Sequence, residues 1–366
     1  MGLSIGIVGL PNVGKSTLFN ALTKAQNADA ENYPFCTIEP NKAVVPVPDK
    51  RLGELAKLVN PAKIVNSIVD FIDIAGLVKG ASKGEGLGNQ FLSNIRETDA
   101  ILHLVRCFDN EDIAHVDGSI DPLRDIEVIE TELLLSDIQT AEKIIERLQK
   151  SMKGDKSLKP LVDNAEKLLT HLNEGNPASS FNIEDEQLKR NLFTEFRLMS
   201  SKKIIYCANV DEDGLSDDNQ YIKQVKEFAD KRGAAFTKIS AKVEEELVGI
   251  EDEERQEFLD SYGIDEGGLE QIIKIGFKTL GLISYFTAGP IEVKAWTIHK
   301  GWKAPKAASV IHTDFEKGFI RAEVISYNDY IKHGSEAACR SAGALRIEGK
   351  EYVVQDGDVM HFLFNV

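Results

Sequence analysis

The fold is decided by a stretch near the amino terminus, Gly9-Leu10-Pro11-Asn12-Val13-Gly14-Lys15-Ser16-Thr17. It has the pattern G-x-x-x-x-G-K-S of phosphate-binding loops. A short apolar run precedes it, as expected of a buried strand, and residues 17–26 carry apolar side chains at helical spacing. A glycine-rich turn that matched the pattern by chance would lack these flanks. The stretch therefore predicts a P-loop between a strand and a helix.

The P-loop residues have separate tasks in this prediction. The glycines let backbone N–H groups turn toward the phosphates, and the helix N-terminus adds partial positive charge. Lys15 is predicted to reach the β- and γ-phosphates and to act in catalysis, and Ser16 is predicted to bind Mg²⁺. The nucleotide-binding residues predicted in this loop are Asn12, Val13, Gly14, Lys15, Ser16 and Thr17.

Length and composition are typical of a soluble globular protein. The 366 residues are enough for two or three domains, and the net charge of −16 argues against a nucleic-acid surface over the whole chain. The four cysteines are scattered, which indicates reduced thiols in the cytoplasm and no zinc site. No signal peptide and no run long enough to cross a membrane are found, so no membrane partner is expected.

Two motifs after the P-loop predict nucleotide switches. An apolar strand ends in D-x-x-G, where Asp73 can hold Mg²⁺ and the N–H of Gly76 can contact the γ-phosphate. Thr37, in the polar loop before that strand, is the candidate for a Mg²⁺ ligand that lets go after hydrolysis. Ras-like switches carry a water-orienting Gln after D-x-x-G, but this chain has Leu77. The chemistry must therefore recruit another group.

His115 is the candidate for that missing group. It lies in the loop after a predicted strand at residues 100–107, and the ordinary pKa of histidine suits proton transfer. The alternative is a solvent-exposed loop histidine, and the residues alone leave both interpretations open. His103, inside the strand, is interpreted as a packed core histidine.

The segment at residues 125–200 differs in character from its surroundings. Apolar residues fall near heptad spacing with Glu and Lys between them, and two later pieces are also amphipathic. This pattern predicts an antiparallel, coiled-coil-like α-helical hairpin inserted into the nucleotide domain.

The stretch Asn209-Val210-Asp211-Glu212 follows the next apolar strand, where a GTPase carries N-K-x-D. Val210 replaces the lysine that covers the base, and Glu212 replaces the aspartate that accepts from guanine. Each hydrogen bond to a charged group is worth about 1.5–3 kcal/mol, so losing a bidentate contact would remove about a hundredfold or more of guanine preference. The predicted base-site residues are Asn209, Val210, Glu212, Ser240, Ala241 and Lys242.

The last third of the chain predicts an acidic exposed helix or connector at 244–257, a helix at 269–279 and then a strand-rich domain. Strands are predicted at 292–299, 318–326, 350–354 and 359–364. Basic and aromatic residues between them suggest an RNA-facing patch, and an ordinary mixed surface is the alternative. The patch comprises Lys300, Lys303, Lys306, Lys317 and Arg321, with Trp302 and Phe319.

Together these motifs resemble the Obg-like ATPase (YchF) family of P-loop translation-factor-related NTPases. The resemblance rests on the P-loop, residues 32–41, 73–77, 84–89 and 209–212, and the carboxyl-terminal stretch, and it covers essentially the whole chain. It implies an α/β fold with a Ras-like P-loop NTPase core, the inserted hairpin and a C-terminal TGS β-grasp domain. The implied divisions are 1–124 and 201–280 for the nucleotide domain, 125–200 for the insertion and 281–366 for the TGS domain.

The resemblance also implies a function. It implies slow hydrolysis of ATP in preference to GTP by a cytoplasmic monomer that associates with ribosomes or ribosomal RNA in translation or stress response. Implied site residues are His115 for catalysis and Asn12 for a K⁺ ion beside the phosphates, in addition to the Mg²⁺ ligands Ser16, Thr37 and Asp73 that the motifs predict. Two alternatives remain open: a GTPase of the same fold whose Glu212 reads guanine, and a nucleotide-sensing scaffold with negligible turnover.

Overall fold

Two sheets organise the computed structural model, which describes residues 3–28, 39, 41–74, 87–110, 112–113, 115 and 118–365. The elements before the insertion are β1 Ser4–Val8, α1 Lys15–Ala28, β2 Lys42–Pro46, α2 Lys50–Val59, β3 Lys63–Val65, β4 Ile68–Asp73, α3 Leu87–Glu97 and β5 Ala100–Arg106. After the insertion, which contains α4 to α6, the chain forms β6 Lys203–Asn209, α7 Asp213–Ser216, α8 Gln220–Lys231, β7 Ala235–Ile239, α9 Ala241–Leu247, α10 Asp252–Ser261 and α11 Gly268–Thr279. The predicted α/β class is confirmed.

The first sheet has the order β2-β4-β1-β5-β6-β7. Strands β4, β1, β5, β6 and β7 run parallel, and β2 joins antiparallel to β4. All residues of β1 and β5 are buried, because central parallel strands are covered on both faces. The carboxyl ends of the parallel strands therefore meet at one edge, where α/β sheets bind their ligands.

The insertion consists of the helices α4 Pro122–Met152, α5 Lys159–Asn173 and α6 Glu186–Phe196. The first half of α4 packs on the first sheet through Ile129 and Leu133, and its second half packs against α5 and α6 around a separate apolar core. The predicted helical hairpin is thus present, with α6 as a third packed helix. Among the described residues, no helix is long and apolar enough to cross a membrane.

A buried carboxylate joins the insertion to the first sheet's return strand. Asp137 of α4 accepts backbone hydrogen bonds from Met199 (2.9 Å) and Ser200 (2.7 Å), just before β6. Burial raises the pKa of Asp137, and these hydrogen bonds oppose that rise. The carboxylate fixes the point at which the chain returns to the nucleotide domain.

The acidic segment after β7 differs from its prediction as an exposed helix or connector. It forms α9 and α10, and Glu244 of α9 is buried. The Glu244 carboxylate accepts a hydrogen bond from the N–H of Gly268 at 2.6 Å, at the start of α11. The number of acidic residues in the segment does not reveal that one of them, Glu244, caps the start of α11.

The second sheet contains the predicted carboxyl-terminal strands. The elements are β8 Leu282–Ala288, β9 Glu292–His299, α12 Ala304–Ala308, α13 Thr313–Lys317, β10 Phe319–Ser326, α14 Tyr327–His333, α15 Glu336–Ser341, β11 Arg346–Glu348 and β12 Asp358–Phe364. The prediction of a strand at 350–354 is wrong: this segment forms a single bridge between Lys303 and Val353, and the edge strand is β11. The TGS assignment of this region stays a prediction.

Strand β3 belongs to the second sheet, although it lies between elements of the first. The order is β11-β10-β12-β8-β9-β3, with Lys63 opposite Glu292. Helix α2 packs on the same sheet through Leu52 and Leu55. The chain between the two predicted switch motifs is therefore built partly into the carboxyl-terminal region.

Polar contacts reinforce this connection. Arg51 of α2 pairs with Asp49 (2.7 Å) and Asp356 (2.9 Å). The hydroxyls of Ser67 and Ser284 lie 3.0 Å apart in a buried position. The domain division at residue 281 stays a prediction, but residues on both sides of it share one core.

Candidate functional site

The predicted P-loop lies between β1 and α1, at the carboxyl edge of the first sheet. Its turn needs two residues with positive φ, Asn12 at 63° and Gly14 at 94°. A side chain at Gly14 would collide with the Nδ2 atom of Asn209, and one at Gly9 would lie 2.7 Å from the carbonyl oxygen of Leu104. Gly9 is therefore required by the close approach of the Leu104 backbone, and Gly14 by its positive φ and by the packing of Asn209 against it.

The two predicted charged groups of the site contact each other. The Nζ atom of Lys15, in the first turn of α1, lies 2.9 Å from Oδ1 of Asp73, the last residue of β4. Lys15 also donates to the carbonyl oxygen of Ile74 at 2.7 Å. Because β1 and β4 are neighbours, their carboxyl ends bring this lysine and this carboxylate together.

The donor set beside Lys15 fits Mg²⁺. Ser16 is exposed at the start of α1, and its hydroxyl and the Asp73 carboxylate are hard oxygen ligands of the kind that Mg²⁺ takes together with phosphates and water. Within the described ranges, no group of three or more His, Cys, Asp and Glu side chains could hold a metal ion by itself. Thr37 and Gly76 lie outside the described residues.

Asp70, also on β4, forms an ion pair inside the sheet instead of facing the P-loop lysine. It is buried, and its Oδ2 atom lies 2.8 Å from Nζ of Lys42 on β2. This ion pair links the two strands and supports the choice of Asp73 as the candidate metal ligand.

Asn209 connects the P-loop to the predicted base-binding loop. Its side chain is 4% exposed; Nδ2 donates to the carbonyl oxygen of Val13 (2.8 Å), and Oδ1 accepts from the N–H of Ala241 (3.0 Å). Ser240 is buried and Lys242 is exposed beside this junction. The amide thus holds the P-loop and the loop at Ser240 and Ala241 together, which is a positioning role that the sequence pattern did not reveal.

The two residues that depart from the guanine code have specific surroundings. Val210 is buried in the apolar core between β6 and α8. Glu212 is exposed, and its Oε2 atom accepts a hydrogen bond from the hydroxyl of Tyr262 at 3.2 Å. Sequence reasoning missed Tyr262, since it lies fifty positions away at the end of α10. The base-binding roles of Val210 and Glu212 stay predictions.

His115 is packed against the start of α4. Its Nε2 atom lies 2.9 Å from Oδ2 of Asp125, and its side chain is 6% exposed. The interpretation as a solvent-exposed loop histidine is therefore wrong. Burial raises the pKa of Asp125, and the hydrogen bond with His115 offsets only part of that rise. The catalytic role of His115 stays a prediction.

Arg106 shapes the loop that leads to His115, and sequence reasoning missed it. It is buried at the end of β5, and its guanidinium donates to the carbonyl oxygens of Phe108 (3.2 Å), Asn110 (3.0 Å) and Ile113 (2.9 Å). A buried cation must be satisfied in this way, so the loop folds around it. The available signal was an arginine at the end of an otherwise apolar strand.

His103 is a core residue, as predicted. It is buried in β5 beside the ring of Tyr206, with ring centroids 5.9 Å apart. Burial lowers the pKa of His103 to about 3, so this side chain stays neutral near pH 7.

Comparisons with known proteins identify the family. The ribosome-binding ATPase YchF of Haemophilus influenzae is 55% identical over 100% of both chains, and those of Escherichia coli O157:H7 and Bacillus subtilis are 53% and 52% identical over the same share. The chain belongs to the YchF family. This confirms the family that the motifs predicted.

Family models and a solved structure agree with this assignment to YchF. Residues 4–145 match the model described as a 50S ribosome-binding GTPase, and residues 282–365 match YchF-GTPase_C, described as a protein of unknown function. The structure of the Schizosaccharomyces pombe YchF GTPase superposes with a TM-score of 0.88 at 40% identity, covering 99% of this chain and 98% of that one.

Only part of the predicted basic patch of this chain is exposed and free of neighbouring carboxylates in the described structure. Phe319 is 4% exposed, so the prediction that it faces RNA is wrong. Lys303 pairs with Glu351, and Lys306 lies 3.9 Å from Glu316. Carboxylates thus accompany two of the cations, as the mixed-surface alternative expects. The remaining basic residues Lys300, Lys317 and Arg321 are exposed.

Proposed function

We propose that this chain is a ribosome-binding ATPase that hydrolyses ATP, in preference to GTP, to ADP and phosphate as a nucleotide switch. The observation that carries the proposal is the contact of Lys15 with Asp73 at the P-loop, in a chain 55% identical over its whole length to a named ribosome-binding ATPase. The P-loop N–H groups would bind the phosphates, and Lys15 would leave Asp73 to neutralise them.

The proposed metal ligands are Ser16, Thr37 and Asp73, and Mg²⁺ held by them would supply positive charge that neutralises the phosphates. Gly76 is proposed to contact the γ-phosphate, and Asn12 is the proposed K⁺ ligand. We also propose that GTP binds more weakly than ATP and that the chain is a monomer in the cytoplasm. Light scattering at micromolar concentration would measure its molar mass and so test the monomeric state.

The base preference is proposed to depend on the replaced guanine code. The Oε2 atom of Glu212 accepts a hydrogen bond from the Tyr262 hydroxyl, so Tyr262 competes with a guanine edge for this carboxylate. We expect ATP to bind about tenfold or more tightly than GTP, by calorimetry with Mg²⁺. Tyr262→Phe should shift this ratio toward GTP, because it frees Glu212. Tighter binding of GTP by the wild type would favour the GTPase alternative.

His115 is proposed to handle the proton of the attacking water in place of the switch glutamine. His115→Ala should lower kcat by about 10²–10⁴-fold and leave ATP affinity nearly unchanged, since general acid–base catalysis acts on the chemical step. The measurement is single-turnover phosphate release together with calorimetry. His312→Ala, an exposed histidine in the carboxyl-terminal region, is the control. Wild-type turnover of His115→Ala would leave His115 only its packing role against Asp125.

The second candidate, a nucleotide-sensing scaffold with negligible turnover, is favoured by Leu77, because an apolar side chain cannot orient water. Co-sedimentation with purified ribosomes, with and without ATP, distinguishes the candidates together with turnover. Nucleotide-dependent binding with ribosome-stimulated hydrolysis supports the ATPase, and binding without hydrolysis supports the scaffold.

A further inference from the structure

The second sheet separates between its two central strands. Strands β8 and β12 run parallel and share one register pair, Val359 with Phe286, while the N–H of Gly357 donates to the carbonyl oxygen of Ser284 at 2.9 Å. Beyond that pair each strand continues against its outer neighbour only. Ala288 is opposite Val293 of β9, and β12 continues opposite β10 up to Phe364. Beyond this pair, the facing edges of β8 and β12 therefore have no ladder partner among the described strands of the sheet.

A cavity of about 460 Å³ occupies the place where these strands separate. We call it the sheet cleft and define it by residues 287–292 on one side and by residues 359–362 and Phe364 on the other. Phe315, from the helices on one face, and Tyr330, from those on the opposite face, also line it. It thus opens into both layers, and its volume lies within the range of about 300–1,000 Å³ that is usual for ligand pockets.

Apolar side chains at the cleft are left exposed to solvent. Ile291, in the turn between β8 and β9, is 79% exposed, and Phe364, at the end of β12, is 39% exposed. Both line the sheet cleft. Exposed apolar groups beside a cavity are typical of a docking surface, since a partner's side chain can cover them.

The polar lining of the cleft is acidic. Glu292, Glu323 and Glu336 are among its lining residues. Arg340 lies 3.0 Å from Glu323 and 3.2 Å from Glu336, so one guanidinium serves two of the three carboxylates. Among the residues that the structure describes, no lysine or arginine lines the cleft, although Arg340 and Lys294 offset part of its charge from outside the lining, so the lining itself is negative. It repels the phosphates of RNA and complements lysine or arginine.

We propose that the sheet cleft docks an extended polypeptide segment in which apolar and basic residues alternate, contributed by a ribosomal protein. The ribosomal source rests on the proposed function. Strand segments without a ladder partner can pair with an added extended chain, and alternate side chains of that chain point to opposite sides. The apolar ones would fill the cavity and cover Ile291, and the basic ones would meet Glu292, the lining carboxylate outside the Arg340 ion pairs.

The cleft wall is also joined to the nucleotide-binding half of the chain. The carbonyl oxygen of Pro290, beside Ile291, accepts a hydrogen bond from the N–H of Ala62 at 3.0 Å. Ala62 directly precedes β3, and the next strand, β4, ends at Asp73. A docked segment would thus touch a turn that is bonded to the chain leading to the candidate metal ligand.

The test uses the full-length chain and a fluorescein-labelled hexapeptide, (Lys-Val)₃, in an anisotropy titration. Wild type should bind it, and Ile291→Ser and Glu292→Lys should each weaken binding about tenfold or more. Ile320→Ser and Glu351→Lys are matched controls, an exposed isoleucine and an exposed glutamate that do not line the cleft, and should change binding less than about twofold. The peptide (Glu-Val)₃ should not bind.

Each other outcome has a definite meaning. Absence of wild-type binding, equal binding by the cleft and control variants, or displacement of the peptide by oligouridylate overturns the proposal. All four variants should keep basal ATP turnover, which shows that they fold.

Ribosome co-sedimentation then separates the proposed function from the proposed docking site. The unlabelled (Lys-Val)₃ peptide should compete with ribosomes for binding to the protein. Cleft-dependent peptide binding without ribosome binding would overturn the ribosomal source, and ribosome binding by the cleft variants at wild-type strength would overturn the role of the cleft.

Discussion

Replacement of Lys15 by alanine is expected to abolish ATP hydrolysis, with kcat reduced at least about a thousandfold. The ammonium group lies at the P-loop next to Asp73, where it can neutralise charge that develops on the transferred phosphoryl group. Its removal takes away transition-state stabilisation that no other described cation at the P-loop supplies. The measurement is phosphate release with Mg²⁺ under single-turnover conditions.

The control for this experiment is Lys24→Ala. Lys24 also lies on α1, but its side chain is half exposed and its Nζ atom is 3.5 Å from Glu245. It should keep wild-type turnover. Asp73 remains partly exposed to water in Lys15→Ala, so the fold should persist, and circular dichroism checks this. Unimpaired hydrolysis by Lys15→Ala would contradict the assignment of the phosphate site.

Replacement of Asn209 by alanine is expected to reduce both stability and nucleotide affinity. The change leaves the carbonyl oxygen of Val13 and the N–H of Ala241 without their buried partner, which should lower the free energy of unfolding by about 2–4 kcal/mol. It also releases the P-loop from the base-binding loop. ATP affinity should therefore fall about tenfold or more, because binding must then order both loops.

Asn219→Ala separates these two effects. The Asn219 amide also bridges two backbone groups, Cys107 and Ile222, but at the start of α8. It should lower the free energy of unfolding by about 1–3 kcal/mol in urea titrations and leave ATP affinity unchanged in calorimetry. If Asn209→Ala and Asn219→Ala bind ATP equally well, the junction at Asn209 is structural only.

The P-loop and most of the helices and strands can be predicted from short stretches of sequence. The loop pattern, the strand before it and the helix after it lie within about twenty residues, so they could be predicted together. Strands β9, β10 and β12 were predicted for the same reason, since each has its own alternation of apolar residues. The family follows from several such local motifs in order.

Long-range pairing could not be predicted. Strand β3 has three residues, and its partner β9 follows more than two hundred residues later, so no local pattern distinguishes it from a loop. The same holds for Tyr262 beside Glu212. The contact of His115 with Asp125 lies closer in sequence, but it depends on the loop that Arg106 folds.

Two errors have a common physical cause. Phe319 was predicted at an exposed patch, but it is the first residue of a strand and its ring packs into the apolar core. The segment 350–354 has apolar residues typical of a strand, yet its backbone hydrogen bonds form a turn and one isolated bridge. The type of a residue indicates which contacts its side chain can make, whereas packing against the neighbouring elements determines whether that side chain is buried or exposed.

The position of β3 has a consequence for how proteins of this kind can be rebuilt. A graft of residues 281–366 onto another scaffold would carry a sheet without its edge strand β3 and without α2, and it would expose Phe286 and Val293. Recombination at residue 281 would leave both products with bare apolar surface. A graft that keeps this core closed must therefore carry α2 and β3 together with the carboxyl-terminal region.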